Sequence, residues 1–380
     1  MFEETFKFIK SLYPNMNEVH LHEPSFDEGD KKILNKVIES TYVSSDGEYI
    51  EKFERKIASF TGAKYAVLTS SGTSALHLAL RALDVEEGHE VLTQPLTFVA
   101  TCNAISYCNA TPIFIDVSLE TMGMCPEKLI DWLKVNTFQR NKKCINKFSM
   151  RTISACLPVH TFGNPTEIDK ISSICKKYNI GLIEDCAESL GSFYRKKHTG
   201  TYGKIGTLSF NGNKIITTGG GGAIITNNRK IAKEIKHLSS TAKQKHQWEF
   251  IHDKIGFNYR MPNLNAALGF TQMNKIKKYL KDKKKVRNSY KDYFNGIKKI
   301  KFFEPTKNSD PNFWLNVIFL PNTSQRNIFL KKANENKIYC RAAWKLMPDL
   351  KLYEENKNYK VKNAKKIYDT AVLLPSSPRT

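Results

Sequence analysis

Between about residues 30 and 230, amphipathic helical stretches alternate with short apolar runs, and this alternation is the strongest constraint on the fold. Helices that alternate with apolar strands are typical of a parallel sheet covered by helices. One helical stretch has the spacing of a buried face, with Leu76, Leu80 and Leu83. The strand candidates are YAVLT, EVLTQ, PIFIDV, TISACLPV, IGLIED, TLSF and AIIT. The sequence therefore predicts an α/β fold with one wide, mostly parallel sheet wrapped by helices.

The pattern changes beyond this region, which predicts a second and smaller domain. From Leu264 to about Asp292, a Lys-rich helical stretch contains no proline and a single glycine, Gly269. After it, the strand candidates FWLNVIFL and KIYCRA flank a helix, which is typical of a small α+β domain. We expect an N-terminal segment at 1–29 on the substrate side or with the small domain, a large domain at 30–262, a connecting helix at 263–292 and a C-terminal domain at 293–380.

Composition and cysteine usage exclude several classes of protein. A chain of 380 residues that is 41% hydrophobic and 25% charged is typical of globular proteins and not of disordered or collagenous ones. No run of about 18 apolar residues predicts a membrane span, and the first residues do not resemble a signal peptide. The eight cysteines include no CxxC pair, so we expect reduced core thiols and no metal site. These features predict a cytoplasmic protein without a membrane partner.

The formal net charge of +22 raises the question of a nucleic-acid partner. The excess of Lys and Arg is spread along the chain and is accompanied by many Asn and Ile, so biased codon usage explains it equally well. We therefore predict no nucleic-acid partner. Attraction for a small anionic substrate stays compatible with the charge. A non-catalytic basic binding protein is the alternative from another class.

Three short segments have features of a catalytic site. Ser70 to Ser74 lie between a strand and a helix, where free backbone N–H groups bind phosphate, although these residues also suit a plain helix cap. Asp185 ends the strand IGLIED, and ligands bind beyond the carboxyl ends of parallel strands; a helix N-cap is the alternative. Lys214 lies in a loop before the glycine run 219–222, where it is either a nucleophile or a solvated surface lysine.

In combination, these segments suit a pyridoxal phosphate enzyme. Such an enzyme needs a phosphate site, a carboxylate that pairs with the pyridinium nitrogen and an amine that forms a Schiff base. The glycine run lacks the GxGxxG spacing of a dinucleotide site. We therefore favour pyridoxal 5′-phosphate as the cofactor, with the pyridoxamine form as its second state.

Five blocks, in this order, resemble the sugar-nucleotide aminotransferases, which are pyridoxal phosphate enzymes with the type I fold of aspartate aminotransferase. The blocks are SSGTSALHLAL, PLTFVATCNAI, IEDCAESLGS, SFNGNKIITTGGGG and IGFNYRMPNLNAALG. The resemblance extends over nearly the whole chain. SFNGNK, HTFGNP and NYRMPNLNAALG are most similar to the enzymes that make 4-amino-4,6-dideoxy-N-acetylhexose nucleotides for legionaminic acid and bacillosamine.

The resemblance implies roles for individual residues. Lys214 would hold the cofactor and later move a proton, and Asp185 would keep the pyridinium nitrogen protonated. Phe98 would stack on the ring, and Glu188 would lie beside its 3-hydroxyl. The phosphate contacts would come from Gly72, Thr73, Ser209 and, across a homodimer with shared active sites, Asn258. Substrate contacts would come from Ser45, Gly47, His160, Arg260, Arg341 and Trp344, although His160 also suits a buried structural role and Arg341 and Trp344 a surface position.

The implied activity is transfer of an amino group from L-glutamate to the 4-keto carbon of a nucleotide-linked 4-keto-6-deoxy-N-acetylhexosamine, with UDP as the expected nucleotide. Two positions depart from the family: Asn211 replaces a frequent His, and Gly220 replaces the Glu of the usual GEGG. Neither replaces the lysine, so both bear on substrate choice. A sugar dehydratase of the same fold is the alternative, but its lysine is commonly replaced by His, and Lys214 argues against it.

Overall fold

The structure is a computed structural model that describes residues 2–356 and 360–379. The helices are α1 Glu3–Ser11, α2 Glu28–Glu39, α3 Glu48–Thr61, α4 Gly72–Arg81, α5 Val99–Tyr107, α6 Pro126–Asn136, α7 Ile168–Lys177, α8 Arg229–Ser239, α9 Asn263–Asn295, α10 Thr323–Glu335 and α11 Lys362–Thr370. The strands are β1 Tyr65–Thr69, β2 Glu90–Thr93, β3 Thr111–Phe114, β4 Thr137–Arg140, β5 Lys143–Asn146, β6 Thr152–Cys156, β7 Gly181–Asp185, β8 Phe193–Tyr194, β9 Lys197–His198, β10 Ile205–Ser209, β11 Gly222–Thr226, β12 Lys301–Phe302, β13 Ser309–Asp310, β14 Asn316–Phe319, β15 Arg341–Ala342 and β16 Ala371–Leu374.

The large sheet has the order β1-β11-β10-β7-β6-β2-β3. From β10 to β3 every neighbouring pair is parallel, whereas β11 is antiparallel to both β1 and β10. The mostly parallel α/β sheet predicted from the sequence is therefore confirmed. The sequence did not predict the hairpin of β4 and β5, which extends the sheet beside the start of β6.

The parallel order brings the ends of successive strands to one edge of the sheet. Asp185 is the last residue of β7, and Ser209 is the last residue of the adjacent strand β10. The N-terminus of α4 follows β1, close to the same edge, with Ser71 as its cap. Because ligands bind at this edge in open parallel sheets, the topology alone brings the three candidate segments together.

The C-terminal region forms a second sheet with the order β12-β14-β16-β15. The helix α1, which the sequence did not predict, packs against this region, with Phe6 and Ile9 in one apolar cluster with Phe329 and Leu374. The predicted strand KIYCRA is only partly correct: β15 contains just its last two residues, because Ile338 pairs with Val19 in an isolated bridge. The division of the chain into domains stays a prediction.

The eight cysteines are buried, as the sequence predicts. All eight cysteines lie within the described residues and are buried and free of disulfides. Within that same part of the chain, no helix is long and apolar enough to cross a membrane.

The long helix α9 packs against α3 through its single glycine. A Cβ atom placed on Gly269 would lie 2.3 Å from Cε1 of Phe53 and 2.8 Å from Cγ2 of Thr218. Phe53 is fully buried, and its ring lies 5.2 Å from that of Phe210, measured between centroids. Both Phe210 and Thr218 belong to the loop between β10 and β11. Close approach of α9 to α3 therefore supports the loop that contains Lys214.

We predict that Gly269→Ala destabilises the protein by about 1–3 kcal/mol, because the added methyl group overpacks the contact with Phe53. Helix propensity alone would predict a gain of about 1 kcal/mol for the same change. The measurement is the free energy of unfolding in urea. Asn288→Ala, at an exposed position of α9, is the control and should change stability by about 0.5 kcal/mol or less. A Gly269→Ala variant more stable than the wild type would refute the packing argument.

Candidate active site

All predicted cofactor residues except Asn258 surround one cavity of about 360 Å³ at the carboxyl ends of β7 and β10. The predicted site residues that line it are Gly72, Thr73, Phe98, Asp185, Glu188, Ser209, Lys214 and Trp344. The two departures from the family pattern, Asn211 and Gly220, line it as well. These residues come from five separate parts of the chain and meet around one small volume.

The N-terminus of α4 forms one wall of this cavity. The Ser71 hydroxyl accepts a hydrogen bond from the Ser74 N–H at 3.0 Å, so the cap predicted as an alternative is present. A Cβ atom on Gly72 would lie 2.9 Å from Cβ of Ser209, which makes glycine necessary at this close approach of β10 and α4. The cap and the anion site are compatible, because the first N–H groups of a helix have no partner within the helix and carry its positive dipole end.

Asp185 presents a buried carboxylate to the cavity. Its Oδ2 accepts a hydrogen bond from the Thr101 hydroxyl at 2.8 Å, and its Oδ1 accepts one from the Ala187 N–H at 3.0 Å. Burial raises the pKa of this carboxyl, while the two hydrogen bonds and the charge of Lys214 lower it. The alternative of a helix cap is wrong, since the described residues 186–192 form a turn and no helix. The site thus holds a carboxylate whose charge would be stabilised by a cationic group.

The preceding residue, Glu184, has a structural role. Its carboxylate accepts hydrogen bonds from the backbone N–H groups of Gly200, Tyr202 and Gly203 at 2.7 Å each. His160 lies 3.1 Å from the same carboxylate. Because neighbouring residues of a strand point to opposite faces, this anchoring turns Asp185 toward the cavity.

His160 is fully buried and does not line the cavity, so the structure supports its structural alternative over substrate contact. Its Nδ1 accepts a hydrogen bond from the Thr166 N–H at 3.2 Å. Its Nε2 therefore carries the ring hydrogen and donates a hydrogen bond to the Glu184 carboxylate. Both ring nitrogens thus have partners within the fold.

Lys214 and Glu188 form an ion pair at the cavity. The Nζ of Lys214 lies 3.5 Å from Oε1 of Glu188, and the lysine side chain is only 14% exposed. The alternative of a solvated surface lysine is therefore wrong. The other oxygen of Glu188 accepts a hydrogen bond from the Phe162 N–H at 2.8 Å. Burial raises the pKa of Glu188 to about 7, although the charge of Lys214 acts in the opposite direction.

Among the cavity residues missed from the sequence, Thr101 and Trp314 have side chains that contact the predicted catalytic residues. Thr101 follows Phe98 by one helical turn and holds Asp185, and its place in the block PLTFVAT was the available signal. Trp314 lies with its ring centroid 4.0 Å from Nζ of Lys214. Its segment, FWLNVIFL, has only the pattern of a buried strand, and no sequence signal connects it with Lys214.

The other predicted substrate residues lie outside the Lys214 cavity. Ser45, Gly47 and Arg260 line a second, polar cavity of about 780 Å³. Asn258 and Arg341 are exposed and line neither of the two. The backbone of Asn258 pairs with Ser240 in an isolated bridge. One copy of the chain therefore does not bring together all residues of the predicted site.

The residues around Lys214 fit pyridoxal phosphate. The N-terminus of α4 suits the phosphate, Asp185 suits a protonated ring nitrogen, and the amine of Lys214 suits the reactive carbonyl carbon. Asp185 provides the clearest observation, because within the described residues its carboxylate has neutral hydrogen-bond donors and no cation in contact. A buried carboxylate of this kind is favoured when a cationic group binds beside it.

Comparison with known proteins agrees with this geometry. Residues 24–380 match the DegT/DnrJ/EryC1/StrS aminotransferase family. The chain is 34% identical to a GDP-perosamine synthase of Escherichia coli O157:H7 over 96% of this chain and 94% of that protein. It is also 34% identical to a UDP-4-amino-4,6-dideoxy-N-acetyl-beta-L-altrosamine transaminase of Campylobacter jejuni over 72% of this chain and 70% of that protein.

A solved structure shows the same architecture. Helicobacter pylori PseC, described as an aminotransferase involved in the biosynthesis of pseudoaminic acid, superposes with a TM-score of 0.85 at 25% identity. The superposition covers 94% of this chain and 93% of that chain. The predicted fold, cofactor and class of activity are confirmed, and the chain belongs to the DegT/DnrJ/EryC1/StrS family of sugar aminotransferases, which use pyridoxal phosphate.

Proposed function

We propose that this enzyme transfers an amino group from L-glutamate to the 4-keto carbon of a nucleotide-linked 4-keto-6-deoxy sugar, in two half-reactions. The observation that carries the proposal is the position of Lys214, whose amine lies in one cavity with Asp185 and the α4 N-terminus. An amine, a carboxylate and an anion site in one cavity are the groups that amino transfer with this cofactor needs. We further propose that the product serves surface glycan or nonulosonic acid biosynthesis, in pathways of the legionaminic acid or bacillosamine type.

Four cavity residues have a defined task in this proposal. The bound cofactor supplies an electron-poor ring that stabilises negative charge on the reacting carbon. Lys214 binds the cofactor through Nζ and, once released, moves a proton to or from the reacting carbon. Asp185 pairs with the ring nitrogen, and the Thr101 hydroxyl fixes the orientation of that carboxylate. Phe98, with 55% of its surface exposed, is free to cover a ring face.

The names of similar proteins support the choice of substrate. The Campylobacter jejuni relative is named for a UDP-linked 4-amino-4,6-dideoxy-N-acetyl sugar. This supports a UDP-linked 4-keto-6-deoxy-N-acetylhexosamine as the substrate. The Escherichia coli relative, which matches more of the chain, is named for a GDP-linked sugar. A GDP-linked keto sugar is therefore the second candidate.

We also propose that the active unit is a homodimer in which each subunit completes the site of its partner. Ser45, Gly47 and Arg260 share a cavity that does not include Lys214. Asn258, proposed to contact phosphate, is exposed on the same chain. Residues of one site that lie apart in a single chain can meet when two copies associate.

The test of the proposed function is an amino-transfer assay with glutamate and a panel of UDP-linked and GDP-linked 4-keto-6-deoxy sugars. We expect one nucleotide class to react, and Lys214→Ala to lower the rate by about 10²–10⁴-fold because it loses the group that moves the proton. Chromatography coupled to mass spectrometry would identify the amino sugar. Lys204→Ala, at a lysine outside the cavity, is the matched control and should react at close to the wild-type rate. A product without a new amine would instead support the dehydratase.

Glu188 should make the stability of the cofactor-free chain depend on pH. Burial raises the pKa of Glu188 to about 7, so its protonated form is favoured in the folded state. Its contribution to the free energy of unfolding is therefore complete below about pH 4.5 and is lost as the pH rises through about 7, by up to about 3 kcal/mol.

Urea unfolding between about pH 5 and about pH 8 would measure this dependence. We expect Glu188→Gln to remove most of the pH dependence that Glu188 gives to the free energy of unfolding, because the amide does not ionise. Glu4→Gln, at an exposed position, is the control. Its free energy of unfolding should change with pH with the same slope as that of the wild type. A Glu188→Gln chain with an unchanged slope would show that Glu188 ionises at its ordinary pKa.

Mixed dimers would test the shared site. Lys214→Ala removes the amine, and Asn258→Asp places a carboxylate where we propose a phosphate contact, so each homodimer should be nearly inactive. If Asn258 acts on the partner's site, half of the randomly mixed dimers regain one intact site of two, and activity returns to about a quarter of the wild type.

The matched control mixes Lys214→Ala with Asp185→Asn. Both residues line the same cavity of one chain, so this mixture should regain nothing. A mixture of Lys214→Ala and Asn258→Asp that stays inactive, although light scattering shows dimers, would assign Asn258 to its own subunit.

A further inference from the structure

We infer that Asn312 is a positioning residue of the active site, which holds the turn that contains Glu188 and the loop that contains Lys214 in a fixed arrangement. The inference rests on the proposed function in one respect: Lys214 is taken as the group that moves a proton at the reacting carbon. Asn312 lies in the segment between β13 and β14, far from both residues in the chain. It is 1% exposed and does not line the cavity.

The turn that contains Glu188 is bonded to Asn312 at three points. The side-chain Nδ2 of Asn312 donates hydrogen bonds to the backbone carbonyls of Glu188 at 2.8 Å and Leu190 at 2.9 Å. The backbone N–H of Asn312 donates a third hydrogen bond, to the hydroxyl of Ser192 at 3.0 Å. Every second residue from 188 to 192 is thus bonded to one buried asparagine.

The same side chain fixes the position of Trp314. The Oδ1 of Asn312 accepts a hydrogen bond from the backbone N–H of Trp314 at 2.8 Å, which forms an Asx turn. The residue between them, Phe313, has a φ of 51°. A bulky residue in this left-handed region keeps its conformation only when the surrounding contacts hold it. The Asx hydrogen bond is one of those contacts.

Trp314 connects Asn312 with the Lys214 loop. Its indole N–H donates a hydrogen bond of 2.7 Å to the carbonyl of Asn213, the residue before Lys214. Its ring centroid lies 4.0 Å from Nζ of Lys214. Since Trp314 is only 4% exposed, its ring has little room to move. A continuous series of contacts therefore runs from the Glu188 turn through Asn312 to the Lys214 loop.

A third segment, at residues 162–163, packs against the same asparagine. The Phe162 N–H donates a hydrogen bond to the Glu188 carboxylate at 2.8 Å, and the Ser192 hydroxyl donates one to the Gly163 carbonyl at 2.7 Å. Gly163 has a φ of 88°, and a Cβ atom at this position would clash with Oδ1 of Asn312. The amide of Asn312 thus fills a space that these segments leave for it.

The chemical consequence concerns the approach of Lys214 to the reacting carbon. Proton movement requires the two groups to be held close to their productive geometry, and a misplacement of about 1 Å costs about 10²-fold in rate. Without the Asn312 amide, the Glu188 turn and the Lys214 loop lose the contacts that fix their separation. Because Asn312 does not line the cavity, binding of the nucleotide sugar should change little.

The experiment compares Asn312→Ala with the wild type in amino transfer from L-glutamate and from glutamate deuterated at the α-carbon. We expect kcat to fall by about 10–10²-fold, with a KM for the nucleotide sugar close to that of the wild type. The isotope effect should rise, because proton movement then limits the rate more strongly. A smaller folded fraction would lower both rates alike and leave the isotope effect unchanged.

Two further variants separate positioning from loss of stability. Trp314→Phe removes the indole N–H bond to Asn213 but keeps an aromatic ring, and it should also raise the isotope effect. Asn316→Ala is the matched control, because Asn316 is a buried asparagine of β14 whose amide binds the Ser376 hydroxyl at 2.9 Å, outside the cavity. We expect this control to be less stable than the wild type but to have the same isotope effect.

Hydrogen–deuterium exchange of the cofactor-free full-length chain provides a readout that does not depend on activity. In Asn312→Ala, the amides of residues 186–192 and 211–218 should exchange faster than in the wild type, whereas in Asn316→Ala they should not. An unchanged isotope effect in both Asn312→Ala and Trp314→Phe, or an equal rise in Asn316→Ala, would overturn the inference. A wild type that does not react with glutamate would refute the proposed function and would leave the exchange comparison unaffected.

Discussion

The burial of two carboxylates beside one amine is the constraint on which the rest of the site depends. Asp185 and Glu188 are both at least 95% buried, and burial raises the pKa of each. Removing such charges from water is costly unless hydrogen bonds and opposite charges compensate. Thr101 and the Ala187 N–H stabilise Asp185, while Lys214 and the Phe162 N–H stabilise Glu188. The loops and helices around the cavity are positioned to provide these partners.

This constraint explains why a segment remote in the sequence contacts the loop that contains Lys214. Asn312 bonds the backbone of Glu188, and Trp314 bonds the backbone of Asn213. The Glu188 turn and the Lys214 loop are thereby held by one short segment that follows α9. Small displacements within such a site cost rate, because reacting groups must be held close to their productive geometry. The polar contacts of the 312–314 segment therefore serve orientation as well as stability.

The sequence predicted most of the large sheet because its strands and helices have clear local patterns. Asp185 and Ser209 could be placed at strand ends, and the parallel order then brought them to one edge of the sheet. The contacts of Trp314 with Lys214 and Asn213 could not be predicted, since they join segments far apart in the chain. The same holds for His160, whose two ring partners become visible only in the folded chain. The hairpin of β4 and β5 was missed because its short, polar strands lack an apolar run.

The charges of the Lys214 cavity bear on how a nucleotide sugar is held. Among the described residues that line it, Lys214 is the one basic side chain, and Asp185 and Glu188 are acidic. A diphosphate would be repelled by such a surface and needs cations from elsewhere. Arg260 lies in the second cavity, and Arg341 is exposed on β15, three residues before the cavity residue Trp344. Arg341 is close enough along the chain to serve its own cavity, and in the homodimer proposed above Arg260 would serve the site of the partner subunit. The charge distribution is therefore consistent with the proposed shared site, in which the C-terminal segment of one subunit and the second cavity of its partner would hold the diphosphate.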